Sequence, residues 1–85
     1  MSYRPVLTSR AAAQFSDLMS REDVYETFMD RLLRLVDAPW DAWLVQPGGG
    51  EPDFREAQFG DSGLIAFRLH EDAGLLVVLY ILWVG

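Results

Sequence analysis

The pattern of apolar and polar residues predicts that the second half of the chain is built around one buried strand. Ten consecutive apolar residues, Leu75–Val84, form the longest apolar run in the sequence. As a helix this run would span only about 15 Å, half of a bilayer, and most of its members are β-branched or aromatic residues that favour strands. We therefore predict a buried β-strand, not a membrane anchor.

Two amphipathic helices are predicted ahead of this strand. Apolar residues recur with helical spacing over Arg10–Met19 and again over Arg21–Asp37, with a break at Ser20 between them. A short first strand, Tyr3–Thr8, precedes the helices, and Pro5 marks it as an edge strand or a strand start. The pattern therefore indicates a strand followed by a helical hairpin.

Shorter segments after the helices predict a meander of antiparallel strands. Trp40–Val45 is predicted as a short strand or the approach to one, and strands are predicted at Phe54–Phe59 and Leu64–His70, followed by the apolar run, with a glycine-rich loop over Gln46–Asp53. That loop lacks the lysine and the serine or threonine of a phosphate-binding loop. The predicted fold class is α+β: an N-terminal strand, a helical hairpin and an antiparallel meander of three or four strands, with both helices packed on one sheet face, in a single domain over residues 1–85.

The last hairpin assigns side chains to two faces of the sheet. If a three-residue loop closes it, the pairs are His70 with Leu76, Arg68 with Val78, and Ala66 with Tyr80. The face that receives the helices then carries Ile65, Phe67, Leu69, Leu75, Val77, Leu79, Ile81 and Trp83. Nothing else in the chain is available to cover the opposite face, so we expect it to be a functional surface or the binding site of a partner.

Charge and composition narrow the classes of function. Thirteen acidic residues stand against seven arginines and no lysine, and the resulting net charge of −6 counts against free, non-specific binding to nucleic acid. The absence of cysteine excludes a disulfide framework and thiolate metal sites and, with no apolar leader, predicts a cytoplasmic protein. Apolar residues make up 51% of the chain, more than a core of this size can hide, so part of the surface is expected to meet a partner.

Several short segments follow a pattern shared by one group of proteins. They are Tyr3–Thr8 in the first strand, then Phe54-Arg55, Gly60-Asp61, Leu64–Phe67, and Gly74 followed by Leu75–Val84. In this order they resemble the RelE/ParE superfamily of bacterial toxins from type II toxin-antitoxin modules, which act in plasmid stabilization. The resemblance implies a compact toxin whose open sheet face acts on ribosome-bound mRNA, as an endoribonuclease, or on DNA gyrase, and whose apolar surface is wrapped by an antitoxin protein.

The resemblance also implies candidate site residues. By position, Arg55 matches the family's first strand arginine, and Arg68, His70 and Tyr80 are expected on or near the open face. In members that cut mRNA, arginines stabilise the charge that develops on the scissile phosphate, and a tyrosine, histidine or glutamate transfers the proton. This chain lacks a second arginine after the Gly60-Asp61 turn and is acidic overall, which favours a degenerate toxin without catalysis.

Two other hypotheses stay open at this point. A non-catalytic interaction module of the same fold would bind a protein partner, or form a homodimer, through the open face. An acidic protein that mimics nucleic-acid charge would bind a basic partner, and that binding would weaken as salt rises. Arg68 could pair with a carboxylate such as Glu56 as readily as with RNA phosphate. No cofactor or metal is predicted, since a lone histidine, His70, is not a metal site.

Overall fold

The structure is a computed structural model that describes residues 2–44 and 54–84. In chain order its elements are β1 (Arg4–Leu7), α1 (Ser9–Leu18), α2 (Glu22–Asp37), β2 (Trp43–Leu44), β3 (Phe54–Phe59), β4 (Gly63–His70) and β5 (Leu75–Trp83). Short 3-10 turns follow α2 and β4, at Pro39–Asp41 and Glu71–Ala73. The break between the two helices lies at Ser20, as predicted, and the loop predicted over Gln46–Asp53 lies outside the described residues.

Within these residues the strands form one five-stranded mixed sheet in the order β1-β5-β4-β3-β2. β5 lies between β1, to which it is parallel, and β4, to which it is antiparallel. β2 to β5 form an antiparallel meander of four strands. The predicted α+β class is confirmed, and the apolar run predicts β5 to within one residue at its C-terminal end.

Both helices pack against one face of the sheet. The ring of Phe28, in α2, has its centroid 5.7 Å from that of Phe15 in α1 and 5.4 Å from that of Phe59 in β3. The largest side chains with almost no exposed surface include Phe28, Leu35, Ile65, Phe67, Leu76 and Val78, so the core lies between the helices and this sheet face. No helix among residues 2–44 and 54–84 is both long and apolar enough to cross a membrane.

A β-bulge in β5 divides the predicted register into a correct half and a wrong half. The predicted pair of Ala66 with Tyr80 is confirmed, and the pairs from there to the end of β5 follow the same register. On the other side of the bulge Phe67 pairs with Val78, because Leu79 is an extra residue opposite the step from Ala66 to Phe67. Every pair closer to the hairpin turn is therefore shifted by one residue.

The bulge also exchanges the faces of the first half of β5. The observed pairs are Arg68 with Val77 and His70 with Leu75, where Val78 and Leu76 were expected. Leu76 and Val78 are completely buried under the helices. Leu75, Val77 and Leu79, expected on that face, are only partly buried. The prediction for these three is wrong because a run without polar residues has no alternation to mark its inward side chains.

Thr8 holds the start of α1 against the bulge. Its Oγ1 accepts a hydrogen bond from the Ala11 N–H at 3.1 Å, which caps the helix, and donates one to the Leu79 carbonyl at 2.9 Å. Its own N–H donates to the Val78 carbonyl at 3.1 Å. The carbonyl of Leu79, the extra residue of the bulge, is thus satisfied by the N-cap residue of α1, which fixes this helix beside β5.

Candidate functional site

The sheet face opposite the helices, called the open face below, is crossed by rows of neighbouring side chains that the strand register defines. The rows are Gln58, Leu64 and Leu82; then Glu56, Ala66 and Tyr80; then Phe54, Arg68, Val77 and Val6; and last His70, Leu75 and Arg4. Cross-strand partners share a face, so the polar members of the last three rows lie near one another. They form the candidate site.

Tyr80 and Glu56 form a hydrogen-bonded pair on the open face. The Tyr80 hydroxyl donates to Glu56 Oε2 at 2.9 Å, across the intervening strand β4. The Arg10 guanidinium lies over the Tyr80 ring, with its Cζ 5.1 Å from the ring centroid. Because Arg10 belongs to the first turn of α1, the Thr8 contacts with β5 are what bring this cation to the edge of the open face.

The environment of Tyr80 decides which form its hydroxyl takes. Burial raises the pKa of Tyr80 above its usual value of 10.0, and the hydrogen bond to Glu56 and the negative charge of Glu56 raise this pKa further, while Arg10 opposes them. Tyr80 is therefore a neutral phenol around pH 7. It carries a proton that it can donate only to a strongly basic oxygen, and the carboxylate of Glu56 is the group of this pair that can accept one.

The raised pKa of Tyr80 predicts a pH dependence that can be measured. The folded protein holds the Tyr80 proton more tightly than the unfolded chain does, so the associated stability is present below pH 10 and is lost as pH rises through the folded-state pKa. An absorbance titration of the tyrosines should show one hydroxyl that loses its proton at an unusually high pH, and Tyr80→Phe should remove this transition. Glu56→Gln should shift this transition to lower pH. A high-pH transition that is still present in Tyr80→Phe would contradict the assignment to Tyr80.

Arg68 and His70 lie on the open face beside this pair. Arg68 occupies the row next to Tyr80, is half-buried, and has its Nε enclosed within the protein. His70 is exposed at the end of β4, two residues further along the same face. The structure thus brings three of the four predicted site residues, Arg68, His70 and Tyr80, to one face, and their proposed chemical roles stay predictions.

Arg55 does not join them. It pairs with Phe67, which is buried under the helices, so its side chain starts from the opposite face of the sheet. Its Nη1 donates to the Ala42 carbonyl at 3.4 Å, and its Cζ lies 5.1 Å from the centroid of the Trp40 ring. Because side chains alternate along β3, Glu56 points to the open face in place of Arg55. The local contacts of Arg55 hold the 3-10 turn after α2 against the sheet.

Sequence reasoning missed two cations of the site and the role of Glu56. Arg4 reaches the open face because β1 pairs in parallel with β5, and Arg10 reaches it through the Thr8 contacts. No local signal marks either position, since both depend on the pairing of the two ends of the chain. Three of the seven arginines therefore border this face, while the exposed acidic residues Glu22, Asp23, Glu26 and Asp30 lie on α2. The net charge of −6 is not spread evenly.

The element order and the open sheet face define a RelE-like fold, and comparison with solved structures confirms it. A chain of the intact Escherichia coli RelBE toxin-antitoxin complex is 16% identical, with a TM-score of 0.79 and 99% of both chains covered. The isolated E. coli RelE toxin is 15% identical, with a TM-score of 0.81, 99% of this chain and 86% of that chain covered.

A third structure extends this comparison. A free E. coli RelE variant, in which two arginines are replaced by alanine, is 17% identical, with a TM-score of 0.73, 95% of this chain and 82% of that chain covered. No protein-family model matches the sequence, and no curated protein matches it at the sequence level. The similarity therefore lies in the fold, which the resemblance to RelE/ParE toxins implied from the sequence.

Proposed function

We propose that this chain is the toxin-like component of a bacterial type II toxin-antitoxin module and that its open face cleaves RNA. One observation carries the proposal: on a RelE-like fold that spans nearly the whole chain, the uncovered sheet face gathers a tyrosine-carboxylate pair and arginines. An activity on RNA needs both proton transfer and cations at the phosphate. The open face offers both.

The chemistry that these groups support is cleavage by the ribose 2′-hydroxyl. Glu56 would take the proton of this hydroxyl, whose oxygen then attacks the adjacent phosphorus. Arg68, helped by Arg10, would stabilise the negative charge that develops on the phosphate oxygens. The neutral phenol of Tyr80 would donate its proton to the departing 5′-oxygen. The products are a 2′,3′-cyclic phosphate and a free 5′-hydroxyl, and the proton that Glu56 has taken passes to the Tyr80 phenolate through their hydrogen bond, which restores both groups.

The net charge of the chain indicates how the RNA must be presented. An acidic protein gains little from counterion release and should bind free RNA weakly. The phosphate is therefore best supplied by a larger assembly, such as mRNA held on the ribosome. Inhibition of gyrase would need no proton-transfer pair, so the Tyr80–Glu56 contact favours RNA as the target. Such an activity would be exercised in the bacterial cytoplasm.

An antitoxin protein is the partner that we propose for the exposed apolar side chains. Met19 and Leu33 are each 59% exposed, and Leu82 is 43% exposed. Isolated exposed apolar residues are common on monomers, but these three lie on both layers of a small domain. A segment that wraps the protein would cover them together. The presence of a RelBE complex among the similar structures supports this choice of partner.

A non-catalytic interaction module of the same fold is the second candidate. The observation that favours it is the apolar part of the open face, where Leu82 is 43% and Val6 is 40% exposed. These side chains lie in rows on either side of Tyr80 and could contact a protein partner or a second copy of the chain. In that case the tyrosine-carboxylate pair would only order the sheet surface.

Induced expression in a bacterial host tests the proposal. We expect growth arrest with loss of bulk translation, and Arg68→Ala should relieve both, because losing one charge-stabilising group lowers the cleavage rate by about 10²- to 10³-fold. Arg34→Ala removes an equal charge from an exposed site on α2, where Arg34 pairs with Asp30, and should leave the arrest unchanged.

The other results of this experiment have distinct meanings. Arrest with intact translation and altered DNA supercoiling would indicate gyrase as the target. Normal growth while folded protein accumulates would favour the interaction module. Arg55→Ala adds a further control, because the Arg55 side chain starts from the opposite face of the sheet and contacts Ala42 and Trp40, so its loss should affect stability but not the chemistry of the open face.

A further inference from the structure

A second candidate site lies at the end of the sheet where β1 begins. It is a surface cavity of about 310 Å³ lined by Ser2, Tyr3, Asp37, Trp40, Glu71 and Gly74. Its walls come from the start of the chain, the end of α2 and the two 3-10 turns. None of these residues belongs to the site on the open face. We call this space the Trp40 cavity.

The backbone around the Trp40 cavity is fixed by hydrogen bonds. The Tyr3 N–H donates to the Val36 carbonyl at 2.7 Å, which ties the segment before β1 to α2. The Arg4 N–H donates to the Gly74 carbonyl at 2.8 Å, which ties the same segment to the turn before β5. The cavity is therefore preformed, and a ligand would not have to order these segments.

Two aromatic rings line one side of the Trp40 cavity. The Tyr3 and Trp40 rings meet edge to face, with centroids 6.4 Å apart and an angle of 83° between their planes. The Arg55 guanidinium lies over the Trp40 ring, so this indole already binds one cation within the protein. Trp40 is nevertheless 53% exposed, an unusual state for the largest apolar side chain. Exposed, rigidly held tryptophan is typical of binding surfaces.

Two carboxylates complete the Trp40 cavity. Asp37 and Glu71 are both exposed, and among residues 2–44 and 54–84 neither forms an ion pair. Asp37 accepts a hydrogen bond from the Ser2 hydroxyl, which orients one carboxylate beside the rings. Aromatic faces and carboxylates both attract cations, and a planar guanidinium satisfies both at once by stacking on the ring and donating to the carboxylate oxygens.

We propose that the Trp40 cavity binds an arginine side chain presented by a partner protein. A volume of about 310 Å³ is at the small end for ligand sites, which suits one side chain better than a larger small molecule. The two carboxylates give the cavity the charge that a basic segment complements. Because it uses no open-face residue, the inference stands independently of the RNA chemistry proposed above.

The test uses capped pentapeptides that carry one arginine between glycine and serine residues. Binding is followed through the indole N–H resonance of Trp40, assigned by its loss in Trp40→Phe. We expect a saturable shift with the arginine peptide and a much weaker one with the matched citrulline peptide, which has the same shape without the charge. Asp37→Asn/Glu71→Gln should weaken binding by about tenfold or more, because it removes two charge-assisted hydrogen bonds.

A matched variant separates local contacts from the overall charge of the protein. Glu26→Gln/Asp30→Asn removes the same charge from exposed positions on α2 and should leave the affinity for the arginine peptide within about twofold, because screened surface charges act weakly over distance. The proposal is overturned if the citrulline peptide binds equally well, if Asp37→Asn/Glu71→Gln binds like the parent protein, or if no saturable shift occurs. Tighter binding of the corresponding lysine peptide would also overturn it.

Discussion

Phe28→Ala is expected to lower the free energy of unfolding by about 3–5 kcal/mol. Phe28 has no exposed surface, and its ring packs between those of Phe15 and Phe59, which join α1 and β3 to α2. Alanine would leave a cavity at the point where three elements meet. A domain of this length has a total stability of only about 4–13 kcal/mol, so the change removes a large share of it.

Chemical denaturation followed by circular dichroism measures this effect. Leu33→Ala is the matched control, because Leu33 lies on the same helix and is 59% exposed, so the change should alter stability by no more than about 0.5 kcal/mol. Equal losses for the two variants would contradict the position of Phe28 at the centre of the core.

Under the proposed function, Glu56→Gln is expected to lower the rate of mRNA cleavage by about 10²- to 10⁴-fold, the usual contribution of a general base. The amide keeps the size of the side chain and can still accept the hydrogen bond from Tyr80, but it cannot take a proton. The fold should be unaffected because Glu56 is only half-buried. Cleavage of mRNA by purified protein on programmed ribosomes measures the rate.

Two further variants make this result specific. Tyr80→Phe should also slow cleavage, and the double variant should lose less than the product of the two single losses, because the two groups act as one unit. Glu26→Gln makes the same chemical change on the exposed face of α2 and should cleave at the parent rate. Cleavage by Glu56→Gln at the parent rate would exclude Glu56 as the base.

The elements of the fold could be predicted from the sequence wherever one face of an element is polar. Helical spacing defines both helices, and the length and composition of the apolar run define β5. The bulge at Leu79 could not be predicted, because every residue of β5 is apolar and either register buries a hydrophobic surface. It depends on contacts with Thr8, which is 71 residues away in sequence.

Part of the candidate site could also be predicted from the sequence, where polar residues alternate with apolar ones. Arg68 and His70 alternate with buried Phe67 and Leu69, so their side of the sheet follows from β4 alone. Tyr80 lies on the part of β5 where the predicted register holds. Arg55 was assigned through a resemblance, and only the pairing of β3 with β4 shows that it faces the helices.

The position of β5 in the sheet also determines when the fold can form. β5 follows the other four strands of this sheet in sequence, yet it lies between β1 and β4 and joins β1 to the rest of the sheet. Until β5 is synthesised, α1 and β1 have no strand to pack against, and contacts between distant parts of a chain form slowly. The open face is therefore assembled only after β5 has left the ribosome, so a nascent chain that still lacks β5 does not carry the complete site.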